Sequence, residues 1–220
     1  MPTTNINQPM GFRPLRYLSG SDWNGQFQLY AFNASAGVAA YKGDVVSFDT
    51  TNRSLALTDA YYPALPNVVT VASDITTAVQ RGVVVGFLPE PEFNMSVSAS
   101  LGLMYRVAST KRYAQVIDDP SVIYLAQENG QSYTTAANNA INKTVGTAYT
   151  AGSTTTGLSG TQLKSSDVQT AAARPFRILR YSPLVDNFGW VAADNPTYAK
   201  MEVMLVNTDM GPYTMANFGA

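Results

Sequence analysis

Between Tyr113 and Leu125 the sequence YAQVIDDPSVIYL sets Asp118, Asp119 and Pro120 between two apolar runs of strand length, and this arrangement recurs along the whole chain. Apolar runs of roughly four to eight residues cut by Gly, Pro, Asn or Asp favour strands, because a helix needs a period near 3.6 sustained over about ten residues or more. The spacing predicts strands at Phe27 to Phe32, Val45 to Phe48, Val68 to Val71, Val83 to Phe87, Tyr113 to Ile117 and Val122 to Leu125. Two more are predicted within RPFRILRY and AKMEVMLVN. In the last of these only Glu202 interrupts the run Met201 to Val206, so both faces of that strand are expected to be covered. Helix signals are short, at Ser73 to Val79 and Thr135 to Asn142. The fold class expected is all-β: a mainly antiparallel barrel or sandwich with long loops, an extended N-terminal arm, and under about a fifth of residues in helices.

At 220 residues the chain is read as one β-rich body, residues 17–220, behind an extended arm, residues 1–16. The arm, MPTTNINQPMGFRPLR, carries three prolines and no period. Within it Phe12, Arg13, Pro14 and Arg16, with Tyr17 just beyond, give an apolar anchor and two guanidiniums on a stiff backbone. These five are the candidate partner-binding residues; the opposite reading, in which Phe12 packs on its own domain, stays open at this point. Residues 131–173 are rich in Ser, Thr and Ala, an excursion of loops and short strands anchored by Val145, Tyr149, Leu158 and Leu163. The stretch SPLVDNFGWVAADNPTY reads as a protruding loop, and the tail with Tyr213 and Phe218 as a second docking strap.

The adjacent aspartates raise the question of chemistry. Asp-Asp-Pro-Ser fits a tight turn, the corner of a hairpin, because aspartate caps its own backbone and proline sets φ. Neighbours in sequence also point opposite ways, whereas a glycosidase needs carboxylates facing each other across a sugar. Glu90 and Glu92 sit between prolines at a strand exit, and GLSG at 157–160 lacks the lysine of a phosphate loop. Cysteine and histidine are both absent, which removes disulfides, thiolate nucleophiles, the usual zinc sites and the commonest general base. Asp118, Asp119 and Glu128 lack the alternating oxygen ligands of a calcium loop. No catalytic residue, metal or cofactor is therefore expected, nor an enzyme. Nucleic acid is not an expected partner, since 14 Lys and Arg balance 15 Asp and Glu. No membrane association is expected either, because no apolar run approaches the ~18 residues of a span. No leader is read at the N-terminus, so folding without export machinery is expected. Charged residues make up only 13% of the chain, and a surface that repels its neighbours so weakly is expected to be largely buried against partners.

Several stretches, in order, resemble a family of tailed-bacteriophage structural proteins regarded as head decoration or cement proteins. They are GFRPLRYLSGSDWNGQFQLY, KGDVVSF, RGVVVGFLPEP, YRVASTKRYAQVIDDPSVIYLAQENG, GSTTTGLSGTQLKSS, RPFRILRYSPLVDNFG and AKMEVMLVN. The resemblance implies a β-rich virion protein, assembled in the host cytoplasm, that binds the outside of the major capsid protein shell and stiffens it. Its implied partners are the major capsid protein and further copies of itself, a trimer ahead of a dimer. The alternatives are a tail-tube, connector or head-fibre subunit, or a polysaccharide-degrading tail enzyme. WVAADNPTYAK and the tail lengthen this chain relative to the family pattern, which bears on the docking surface.

Overall fold

The computed structural model describes residues 5–56, 62–88, 104–130, 140–170, 174–187 and 197–209. In chain order the strands are β1 Arg13–Tyr17, β2 Gln28–Phe32, β3 Val45–Phe48, β4 Val68–Thr70, β5 Gly82–Phe87 and β6 Arg112–Ile117. There follow β7 Val122–Gln127, β8 Thr144–Val145, β9 Thr147–Ala148, β10 Gln162–Leu163, β11 Phe176–Tyr181 and β12 Lys200–Leu205. One five-stranded sheet runs β1-β7-β12-β11-β8, a second runs β2-β6-β5-β3-β4, and β9 and β10 form a separate pair. Every ladder is antiparallel. The chain is thus all-β, a sandwich rather than a closed barrel. The second sheet curls until Ala31 N donates to Pro66 O at 2.9 Å, a single bridge between its edges.

Alternation along the strands explains this layering. Val45, Val83 and Ile117 point to the core shared with Tyr124, Ala126, Phe176, Ile178, Met201, Val203 and Leu205 of the first sheet. Their neighbours Val46, Val84 and Val116 point the other way, into a second core inside the curl with Tyr30, Phe32 and Val68. A strand buried on both faces can be apolar at consecutive positions, which accounts for the Val-Val runs in β3 and β5. The central strand β12 behaves as expected, with Glu202 itself buried.

Among the described residues there is no α-helix, only a 3-10 turn at Ser165–Asp167. The helix expected at Ser73 to Val79 is absent: its Ile75 bridges to Thr147, exchanging backbone hydrogen bonds of 3.1 and 2.8 Å. Of Thr135 to Asn142, residues 135–139 lie outside the described residues, and 140–142 form a bend and turn.

Two further expectations are corrected. The turn at Asp118 to Ser121 is not a hairpin corner, because β6 and β7 belong to different sheets. It is an arch carrying the chain from one layer to the other, and the same turn residues serve both geometries. The N-terminal arm is also not separate from the body. Arg13 to Tyr17 pair with Val122 to Leu125 of β7, with a bulge between Pro14 and Arg16. The bulge takes the register past Leu15, and the proline sits on an edge strand where a missing N–H is tolerated. Phe12 is 1% exposed and stacks on Phe176, ring centroids 4.3 Å apart. It is a core residue of its own chain, not an anchor for another.

That seat depends on two glycines. Phe12 N donates to Gly43 O at 3.0 Å. Gly11 and Gly43 have φ of +65° and +90°, and a Cβ on Gly11 would lie 2.6 Å from Ser159 Cβ and 2.7 Å from Gly43 O. Only glycine permits both the φ and the approach. In the excursion, Val145 and Leu163 are buried, Tyr149 is half-buried and Leu158 is 37% exposed.

Candidate functional site

The N-terminal segment bounds a cleft of about 290 Å³ whose lining includes Phe12, Arg13, Pro14, Trp23, Lys42 and Leu158. Its walls come from sequence-distant places: the loop after β1 supplies Trp23, and Lys42 is bridged to Leu158. Lys42 N donates to Gly157 O and Ser159 N to Lys42 O, both at 2.9 Å, which fixes that wall. The floor is apolar, and the two cations Arg13 and Lys42 stand at it with no carboxylate in the lining. Of the five residues singled out in the sequence, Phe12, Arg13 and Pro14 therefore meet here. Arg16 does not. Its guanidinium bonds Glu202 Oε2 at 2.5 Å, and Arg180 takes the same carboxylate at 2.9 Å. Burial works to raise the Glu202 pKa, but the hydrogen bonds from Arg180 and Arg16 outweigh it and hold the carboxyl below its usual range.

Tyr17 faces a second, more polar cleft of about 330 Å³ lined with Gln26, Phe27, Gln28, Asp118 and Asp119. The two aspartates are committed differently. Asp118 Oδ2 accepts from Tyr30 OH at 2.8 Å, and Asp119 Oδ1 accepts from Ser121 N at 2.8 Å and Ser121 Oγ at 2.7 Å. Asp119 is the turn cap its sequence context predicts. Tyr17 OH lies 2.8 Å from Asn24 Oδ1 and 3.1 Å from Gln26 Oε1.

Two carboxylates that sequence reading did not single out as buried acids lie deep in the molecule. Asp44, 3% exposed, accepts from Tyr41 N at 2.8 Å and from Ser159 Oγ at 2.5 Å. Burial pushes its pKa up to about 6, against the lowering effect of these hydrogen bonds. Glu128 accepts from Ser165 Oγ at 2.6 Å, Gly130 N at 3.0 Å and Ala199 N at 3.2 Å, and burial raises its pKa too. Both acids hold one segment, residues 159–165, in place through hydroxyls. Arg106, fully buried, donates to the carbonyls of Thr110, Val38, Asn33 and Ala36 at 2.6–2.9 Å, and sits 5.1 Å over the Phe32 ring. Nothing in its sequence context, MYRVAS, announces this, because three of the four partners are carbonyls of a loop some seventy residues away.

Among the described residues no group of three or more Asp and Glu could hold a metal ion, and no helix is long and apolar enough to cross a membrane. Glu90, Glu92 and the tail aromatics Tyr213 and Phe218 lie outside the described residues. No family model, curated protein or solved structure matches the chain.

Proposed function

We propose that this chain is a structural virion protein that docks on the outer surface of a major capsid protein shell and stabilises it. The observation that carries the reading is the cleft at the N-terminal strand, an apolar floor beside Arg13 and Lys42. A shell segment that presents an apolar side chain next to a carboxylate fits it: the side chain leaves water and the acid meets a guanidinium able to form a forked hydrogen bond. The surroundings support a docking role, since charged residues are only 13% of the chain. Ten large apolar side chains stand exposed among the described residues, Val185 at 94%, Ile6 at 68% and Leu18 at 54% among them. Many weak contacts repeated over a shell sum to firm attachment, because each copy that binds the assembled state stabilises it by mass action.

The test is binding of the purified chain to shells assembled from major capsid protein alone. Arg13→Glu combined with Lys42→Glu is expected to weaken binding at least about tenfold while leaving the melting temperature unchanged, and added salt is expected to weaken the wild type. Equal affinity of wild type and double variant, at all salt concentrations, overturns the role given to this cleft. Absence of any binding overturns the function.

A further inference from the structure

The polar cleft at the arch between the sheets has no part in that docking reading, and its chemistry is of a different kind. Its lining combines two carboxylates (Asp118, Asp119), two primary amides (Gln26, Gln28), the Tyr17 phenol and the Phe27 ring, which is 41% exposed. No lysine or arginine lines it, so its two carboxylates disfavour an anionic ligand. Carboxylates accept hydrogen bonds, amides both donate and accept, and an exposed ring offers a flat apolar face. Mixed acceptors and donors around one aromatic platform complement a neutral molecule that carries several hydroxyls on one side and C–H groups on the other.

One buried polar group lies near this lining. Tyr124 is fully buried, and its hydroxyl has no hydrogen-bond partner. It lies two residues from Val122 on β7, hence on the same face of the strand, and Val122 itself lines the cleft. Burial raises its pKa well above the usual tyrosine value, and the charges that add to this are Asp119, Asp118 and Tyr17, all members of the cleft. Tyr124 itself does not line the cleft, so its hydroxyl stays behind the wall and a ligand meets the lining groups alone.

We infer that the cleft formed by Tyr17, Gln26, Phe27, Gln28, Asp118 and Asp119 binds a saccharide unit, stacked on Phe27 with its hydroxyls directed to the aspartates and glutamines. The volume of about 330 Å³ takes one or two sugar rings. Because Asp118 and Asp119 are already held by Tyr30 and by Ser121, they serve as fixed acceptors. Little reorganisation is then needed on binding.

The experiment is saturation-transfer NMR and calorimetry on the full chain with free hexoses, N-acetylhexosamines and their disaccharides, with calcium chloride alone as a separate arm. At least one saccharide is expected to bind saturably with Kd in the range of about 0.1–10 mM. Phe27→Ala is expected to weaken it about fivefold or more, Phe27→Tyr to retain it, and Gln28→Ala to weaken it, all with the wild-type melting temperature. Both residues are solvent-exposed, so these variants are expected to fold. The inference is overturned if no saccharide in the panel binds, if one binds equally well to Phe27→Ala and Gln28→Ala, or if calcium alone binds at Asp118 and Asp119 while the saccharides do not. None of these outcomes depends on shell docking, which uses the other cleft.

Discussion

Arg106 shows how far a single side chain can organise loops that share no sequence signal. Its guanidinium is sealed from water and spends its donors on four carbonyls, so it fastens the loop after β2 to the loop before β6. Arg106→Met keeps the bulk and removes every donor, and leaves those carbonyls without it. A loss of about 3–5 kcal/mol in denaturant unfolding is expected, with the slope unchanged; a loss under about 1 kcal/mol contradicts the role. Asp44 is the converse case, an acid that burial disfavours in its charged form. Its folded pKa of about 6 lies above the unfolded 3.8, so its contribution to stability is fully present below about pH 4 and is lost as pH rises through 6. Asp44→Asn is therefore expected to match or fall below wild type at pH 4 and to gain on the order of 2 kcal/mol relative to it at pH 8. Glu202 acts with the opposite sign. Its folded pKa is held below the unfolded 4.5, so its stabilisation is present above that value and disappears in stronger acid. A melting-temperature series across pH for wild type and Asp44→Asn reads out both; the same pH dependence in the two proteins contradicts the assignment to Asp44.

At the scale of elements, the N-terminal strand decides what the chain can lose. Phe12→Ala empties a stacked core site against Phe176 and is expected to cost about 3–5 kcal/mol. Removal of residues 1–16 strips an edge strand together with that core residue, so a cooperative melt at the wild-type temperature after the deletion would contradict the fold described. This strand was the least legible in the sequence. Pro14 and the two arginines break the apolar pattern, and the bulge after Pro14 hides the alternation, so the segment reads as an arm. The long strands were legible because alternation and turn residues agree there: Val45–Phe48 falls where expected, and β5, β6 and β7 start within one residue of the expected position. The two-residue strands β8, β9 and β10 are too short for any period. Turn chemistry marked Asp118 to Ser121 as a corner, but it is silent on whether the next strand pairs with the last or crosses to the other sheet. The clefts were half legible for a related reason. Arg13 and Tyr17 stand out locally, whereas Trp23, Lys42 and Leu158 join them only through pairings between distant segments.

For the whole molecule, a net charge of -1 spread over a sparsely charged surface gives little protection against association. The body is two-layered, and Arg106, Asp44 and Glu128 tie its loops to one another through carbonyls and hydroxyls, so the clefts stand on a fixed frame. That frame suits the docking role proposed for the chain, on the outside of a capsid head. Imaging of particles that carry a label on this chain tests it most directly: label spread over the outside of the icosahedral head is the predicted result. Label confined to the tail or the portal vertex, with a bare head, would contradict the account.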